Sequence, residues 1–122
     1  MQDRVELNLL IDYYGAFLTE NQRELIGLYC DDDLSLSEIA EQRGISRQGV
    51  RDAIARSGRI LSEMEDKLRL IERDRKVLEL SSHIMNELDG ISVSDPLIKA
   101  GLASIRAQLS ELSDIMEGKD GI

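Results

Sequence analysis

The stretch SLSEIAEQRGISRQGVRDAIARSGR, from Ser35 to Arg59, constrains this chain more than any other. Ser35 can cap a short helix, and Glu38, three residues on, completes a capping box. Ile39 and Ala40 give that helix an inward face. Gly44 stands where the chain must turn left-handed after the last helical turn, a conformation open to glycine without a Cβ penalty. Ile45 can pack back under the turn. Ser46 caps a second helix, on which Val50, Ala53 and Ile54 share one face. A small residue at the helix contact, a glycine in the turn and a branched apolar residue on the inner face are the packing template of a helix-turn-helix. The alternative is an ordinary helical hairpin with charged surface residues.

Arg47, Gln48 and Arg51 fall opposite the inward face, close to the start of the second helix. In a helix-turn-helix that end enters the major groove. Arginine pairs bidentately with guanine edges and glutamine with adenine edges, so these three side chains are candidates for base contact.

Charge and composition narrow the targets. The 122 residues carry a net charge of −9. Such a balance opposes a protein that coats nucleic acid electrostatically. The charge is uneven: residues 1–34 sum to −6, 35–60 to +2, 61–80 to −1 and 81–122 to −4. The helix-turn-helix is the only basic segment, and an isolated basic patch on an acidic body suits weak or selective binding and opposes non-specific binding. Tyr13, Tyr14, Phe17 and Tyr29 are the only aromatics. None lies in the arginine-bearing half, which disfavours a stacking platform for single strands. Duplex contact, or RNA contact through shape and phosphates, fits better.

Other chemistries find little support. Cys30 is alone, so no intrachain disulfide is expected and a reducing cytoplasm fits. Its expected role is a small core residue. No apolar run approaches the ~20 residues of a membrane span, and no signal peptide is visible. His83 has no Cys or His partner at metal-ligand spacing. Asp31, Asp32 and Asp33 read as a polar turn rather than a cation site. Without a nucleophile–base pair, a metal cluster or a phosphate-cradling glycine loop, neither an enzyme nor a cofactor is expected.

The spacing of apolar residues predicts an all-α fold. Residues 3–17 form an amphipathic helix, with Val5, Leu9, Tyr13 and Phe17 recurring every four residues and Leu10 and Tyr14 beside them. Thr19 with Gln22 makes a second capping box. The helix it opens buries Leu25, Ile26 and either Leu28 or Tyr29. The second helix of the motif is expected to run past residue 70, its inward positions continuing as Val50, Ile54, Ser57, Leu61, Met64, Leu68 and Ile71, a heptad seam. Gly58 inside this run marks a bend or a close helix contact. Glu63–Lys67, Glu65–Arg69 and Glu72–Lys76 are acid-before-base pairs four apart. A further helix covers about 77–88, with Leu80, Ile84 and Leu88 on one side, and Gly90 breaks it. Asp95 and Pro96 announce the last helix, whose seam is Ile98, Leu102, Ile105, Leu109, Leu112 and Met116. Residues 118–122 read as a frayed tail. The expected organisation is residues 1–76, holding the N-terminal helices and the helix-turn-helix, and a helical extension over 77–122, together one compact unit. The two seams could pack within one molecule or pair between two copies.

The segment LLIDYYGAFLTENQRELIGLYCDDDLSLSEIAEQRGISRQGVRDAIARSGRILSEMEDKL, about Leu9 to Leu70, closely resembles the YlxM family of small bacterial proteins. The YYG…LT.NQ block, the acidic DDDLSL connection, the EIAE…GISRQGV core and the ILSEMEDKL continuation follow in the same order. The helix-turn-helix also resembles region four of bacterial sigma factors, which reads the promoter −35 element. The resemblance implies an all-helical, sigma-like fold with a long helix after the motif and a helical C-terminal extension. It also implies a role beside the signal recognition particle, because the family's genes tend to neighbour those of that particle's protein and its receptor. Carried over from the sigma-like motif, Arg47, Gln48, Arg51 and Asp52, preceded by Ser46, align with positions that face bases or phosphates, while Arg56 and Arg59 lie further along and would touch backbone.

Two functions follow as expectations. The first is a cytoplasmic, homodimeric regulator or accessory of the signal recognition particle pathway, with DNA or signal recognition particle RNA as its target. The second is a helical interaction module whose acidic surface docks a signal recognition particle component, such as its protein, without reading nucleic-acid sequence.

Overall fold

The computed structural model describes residues 3–118. The described residues form six α-helices: α1 (Arg4–Tyr14), α2 (Glu20–Cys30), α3 (Leu36–Arg43), α4 (Arg47–Leu68), α5 (Leu70–Asp89) and α6 (Pro96–Met116), with a short 3-10 turn over Gly15–Phe17. Among the described residues there is no strand, so the expected all-α class holds. The chain divides into two compact units, Met1–Leu70 and Ile71–Ile122.

In the first unit α4 is the central element, packed by α1, α2 and α3. Its buried face is Val50, Ile54, Ser57, Gly58 and Leu61. Tyr14, Leu7, Ile26 and Ile39 complete the fully buried core. Burying each such side chain stabilises the fold by roughly 1.5–3 kcal/mol. Gly58 is buried in this face and does not end α4, which runs on to Leu68. Cys30 is buried, as its expected core role requires.

The caps form where the residue types demand them. Ser35 Oγ accepts from the Glu38 amide at 3.1 Å while Glu38 Oε1 accepts from the Ser35 amide at 3.1 Å. Thr19 and Gln22 reciprocate in the same way at 3.2 and 2.9 Å. Arg4 ties the acidic connection to α1: its guanidinium donates to the Tyr29 carbonyl at 2.9 Å and the Leu34 carbonyl at 3.1 Å, pairs with Asp33 at 3.2 Å, and lies over the Tyr29 ring at 4.0 Å.

Two expectations are corrected. The inward face of the first helix is Leu7, Leu10 and Tyr14, whereas Val5 is 81% exposed and Phe17 67%. A four-residue step overshoots the 3.6-residue turn by about 40°, so a 4-4-4 series winds off any one face, while the 3-4 step from Leu7 to Tyr14 stays on it. Phe17 moreover lies in the 3-10 turn, beyond the end of α1. The second helix of the motif, α4, also stops sooner than expected, at Leu68, because Arg69 adopts a left-handed backbone with φ 56°. What reads as one helix past residue 70 and another from about 77 is α4, a break at Arg69, and a single α5. The seam fades accordingly: Leu68 is half-exposed.

Tyr14 spans this break. Its hydroxyl donates to Glu65 Oε1 at 2.5 Å and accepts from the Leu70 amide at 3.2 Å. It thereby satisfies one of the first-turn amides that a helix cannot pair within itself.

In the second unit Asp95 Oδ1 accepts from the Leu97 amide at 2.8 Å and Pro96 fills the first helical position, so α6 starts where its cap and proline place it. Arg106 on α6 donates to the Leu88 carbonyl at 3.1 Å, which also accepts from the Ile91 amide at 3.1 Å, and pairs with the Asp89 carboxylate at 3.0 Å, adding to the bonds at the end of α5. The α6 seam is barely covered: none of its residues is buried, and Ile98 is 50% and Ile105 44% exposed. On α5, Leu88 is buried but Leu80 is 62% exposed. Of the three acid-before-base pairs, Glu72–Lys76 closes at 3.8 Å, and Glu65 receives the Tyr14 hydroxyl.

Candidate nucleic-acid interface

The turn between α3 and α4 sets the geometry of the candidate site. Gly44 is left-handed, with φ 69° and ψ 31°. The Gly44 amide and the Ile45 amide, the latter at 3.2 Å, both donate to the Ala40 carbonyl, which closes α3 with a six-to-one bond typical of glycine-terminated helices. The chain then redirects over two residues into Ser46, whose Oγ accepts from the Gly49 amide at 2.9 Å. Ser46 is exposed, but its hydroxyl oxygen is engaged as the cap that defines the start of α4.

From this start the expected contact residues emerge on the solvent side. Arg47, Gln48, Arg51, Asp52, Arg56 and Arg59 are all exposed; by helical period Gln48, Asp52, Arg56 and Arg59 lie opposite the buried face of Val50, Ile54 and Leu61, whereas Arg47 and Arg51, expected opposite it, flank that face at the helix start. At about 1.5 Å per residue, Arg47, Gln48 and Arg51 lie within roughly 6 Å along the axis. Arg56 and Arg59 lie about 13 and 18 Å from Arg47 along it. A major groove is ~12 Å wide, so a helix entering by its N-terminus would bring the first three to the base edges and leave the last two at the phosphate walls. The six are not confined to one narrow stripe; at about 100° per residue they fan across roughly half the helix circumference.

The four α4 arginines, like Arg23 and Arg69, are exposed and outside every ion pair of the described residues. Arg4, Arg43, Arg73, Arg75 and Arg106 each pair with a carboxylate within the chain. Arg43, the fifth base of the basic segment, is held by Glu24 at 3.3 Å. Four uncompensated guanidinium groups on one helix are free to neutralise phosphates without first breaking an internal bond.

Gln48 and Asp52 behave differently from the arginines. Gln48 Nε2 donates to Asp52 Oδ1 at 2.9 Å. The expected adenine contact of Gln48 therefore requires exchanging that bond, while Asp52 keeps acceptor capacity that suits a cytosine amino group. Gly49 between them is tightly placed: a Cβ there would come within 3.1 Å of Ser46 Oγ, against the cap. The glycine keeps the cap intact.

Residues 1–99 match the family described as "Putative helix-turn-helix protein, YlxM / p13 like". The chain belongs to this family. Among relatives, a UPF0122 protein of Clostridium botulinum is 46% identical over 99 residues, covering 78% of this chain and 88% of the relative. One of Clostridium kluyveri is 43% identical over 91 residues (75% and 82%), and one of Desulforamulus reducens 42% over 90 (74% and 77%). The family match takes in α1 to α5 and the first residues of α6, so the helix-turn-helix and the α4 arginines fall wholly within it. No helix among the described residues is long and apolar enough to cross a membrane.

Proposed function

We propose that this helix-turn-helix protein is a non-catalytic, cytoplasmic regulator or accessory of the signal recognition particle pathway that binds nucleic acid through the first turns of α4. The observation that carries the reading is the set of four exposed arginines gathered on α4, in the one basic segment of the sequence, with no carboxylate partner among the described residues. Arg47, Gln48 and Arg51 face base edges, Asp52 stands beside them as an acceptor, Ser46 holds the helix start, and Arg56 and Arg59 meet phosphates. The link to the pathway rests on the family resemblance. The target is duplex DNA or the structured RNA of the particle.

A homodimer fits this reading, because a dimeric helix-turn-helix reads two half-sites. The half-exposed seam of α6, Ile98, Ile105 and Leu112, is the surface we assign to it. Fluorescence anisotropy with labelled duplex DNA and labelled signal recognition particle RNA tests the main reading. Wild type should bind one of them, and R47A/R51A should bind it at least tenfold more weakly. Equal binding by wild type and variant to both probes overturns it.

A second reading draws on different observations. The net charge is −9, and residues 1–34 alone sum to −6. These favour docking of a basic partner, such as a protein component of the particle, through the acidic body rather than through α4.

A further inference from the structure

The outer side of α1 is a surface that neither the core nor the helix-turn-helix uses. Val5 and Leu9, one turn apart, are 81% and 46% exposed. They belong to an open groove of about 930 Å³ that Asp3, Glu6, Asp12 and Tyr29 also line. The groove is apolar along its floor and acidic along its rim. Glu6 and Asp12 make no ion pair among the described residues, and Asp3 is committed only as the α1 cap, its Oδ1 accepting from the Glu6 amide at 2.8 Å.

The single base in this groove does not balance the rim. Arg4 is already spent on Asp33, on the Tyr29 and Leu34 carbonyls and on the Tyr29 ring. Its charge is turned to the acidic connection, and the rim carboxylates keep an uncompensated negative field. Exposed aliphatic side chains at i and i+4 are unfavourable in water and are the spacing that an amphipathic helix matches with its own i, i+3, i+4 anchors. A negative rim selects the sign of that helix. It repels nucleic acid, an anionic membrane surface and this chain's own acidic N-terminal region, and it attracts lysine and arginine.

We propose that the outer face of α1 docks a basic amphipathic helix of a partner protein, with Val5 and Leu9 receiving its apolar stripe and Asp3, Glu6 and Asp12 its flanking bases. The proposal rests on the second reading above and gives that reading a location. It does not depend on α4.

The test uses the full chain and a labelled synthetic 18-residue helix of leucine and lysine at helical period, with two controls: the same composition scrambled, and leucine with glutamate. Anisotropy should show binding of the amphipathic leucine/lysine helix at least tenfold tighter than either control. V5S/L9S should weaken it at least tenfold and E6Q/D12N at least fivefold, while R47A/R51A leaves it unchanged. These positions are exposed, so far-UV circular dichroism of each variant should match wild type. Failure to bind the helix sinks both the groove and the acidic-docking reading. Binding that V5S/L9S does not weaken sinks the groove alone and leaves docking elsewhere on the acidic body. Light scattering that finds a wild-type dimer dissolved by V5S/L9S also overturns the proposal, since the face would then belong to a second copy.

Discussion

Replacing Tyr14 by phenylalanine isolates one hydrogen-bonding hub without disturbing the packing around it. The ring is fully buried, with 0% exposure, and phenylalanine keeps its shape and apolar contacts. Only the hydroxyl goes. It donates to Glu65 Oε1 at 2.5 Å and accepts from the Leu70 amide at 3.2 Å. A hydrogen bond to a charged acceptor contributes about 1.5–3 kcal/mol, and leaving a half-buried amide without its acceptor adds to the loss. A cost of about 2–3 kcal/mol is expected. Urea unfolding followed by circular dichroism measures it. With a slope of about 1–2 kcal/mol per molar urea for a chain of this size, the midpoint should fall by roughly 1–3 M. Glu65→Gln keeps an uncharged acceptor and should lose less than Tyr14→Phe. The left-handed Arg69 lies between the two partners, and such a conformation costs a non-glycine residue roughly 1–2 kcal/mol. The hub therefore holds the break in place. A Tyr14→Phe midpoint within about 0.2 M of wild type would refute the claim that this hydroxyl secures the end of α4.

Further predictions concern the site and its supports. If Arg56 and Arg59 neutralise phosphates, R56A/R59A should flatten the dependence of log affinity on log salt by about 1.8, at ~0.9 per contact, in anisotropy titrations on whichever nucleic acid wild type binds; an unchanged slope removes them from the interface. Gly44→Ala meets no steric contact but must hold φ 69°, so urea unfolding should register a loss of about 1–2 kcal/mol. Burial first, and then the Asp31 charge, push the Cys30 thiol up from 9.0 to about 11, with Arg4 opposing. The folded state thus retains a proton that the unfolded chain releases, and Cys30 should lower stability only as pH rises from about 9 toward 11. A Cys30→Ala variant should lack that decline, which unfolding midpoints across this range can check.

Much of the architecture was legible in residue types because it depends on contacts between near neighbours. A serine followed three residues later by glutamate, or a threonine followed by glutamine, can satisfy helix-end amides from within its own turn, so Ser35 and Thr19 mark their helices without help from the rest of the chain, and the Ser46 hydroxyl alone caps α4. Gly44 is equally local, since only its missing Cβ makes a left-handed turn inexpensive there. The exposure of Arg56 and Arg59 on α4 follows from helical period once Val50, Ile54 and Leu61 are recognised as the inward face.

What the residue pattern alone settled, then, is a helical chain, its helix starts and the turn that aims α4. Tertiary contact decided the rest. Two apolar stripes compete on α1, and only packing against α4 and α2 makes Leu7, Leu10 and Tyr14 the inner one, leaving Val5 and Leu9 outside. The end of α4 at Arg69 carries no glycine or proline to announce it; a hydroxyl reaching from α1 to Glu65 and Leu70 secures it there. Which arginines are free was likewise invisible beforehand, because Arg4 and Arg43 meet carboxylates distant in sequence. A helix cap is closed by atoms a few bonds away, whereas the choice of buried face and ion-pair partner belongs to groups that meet only when the chain has folded.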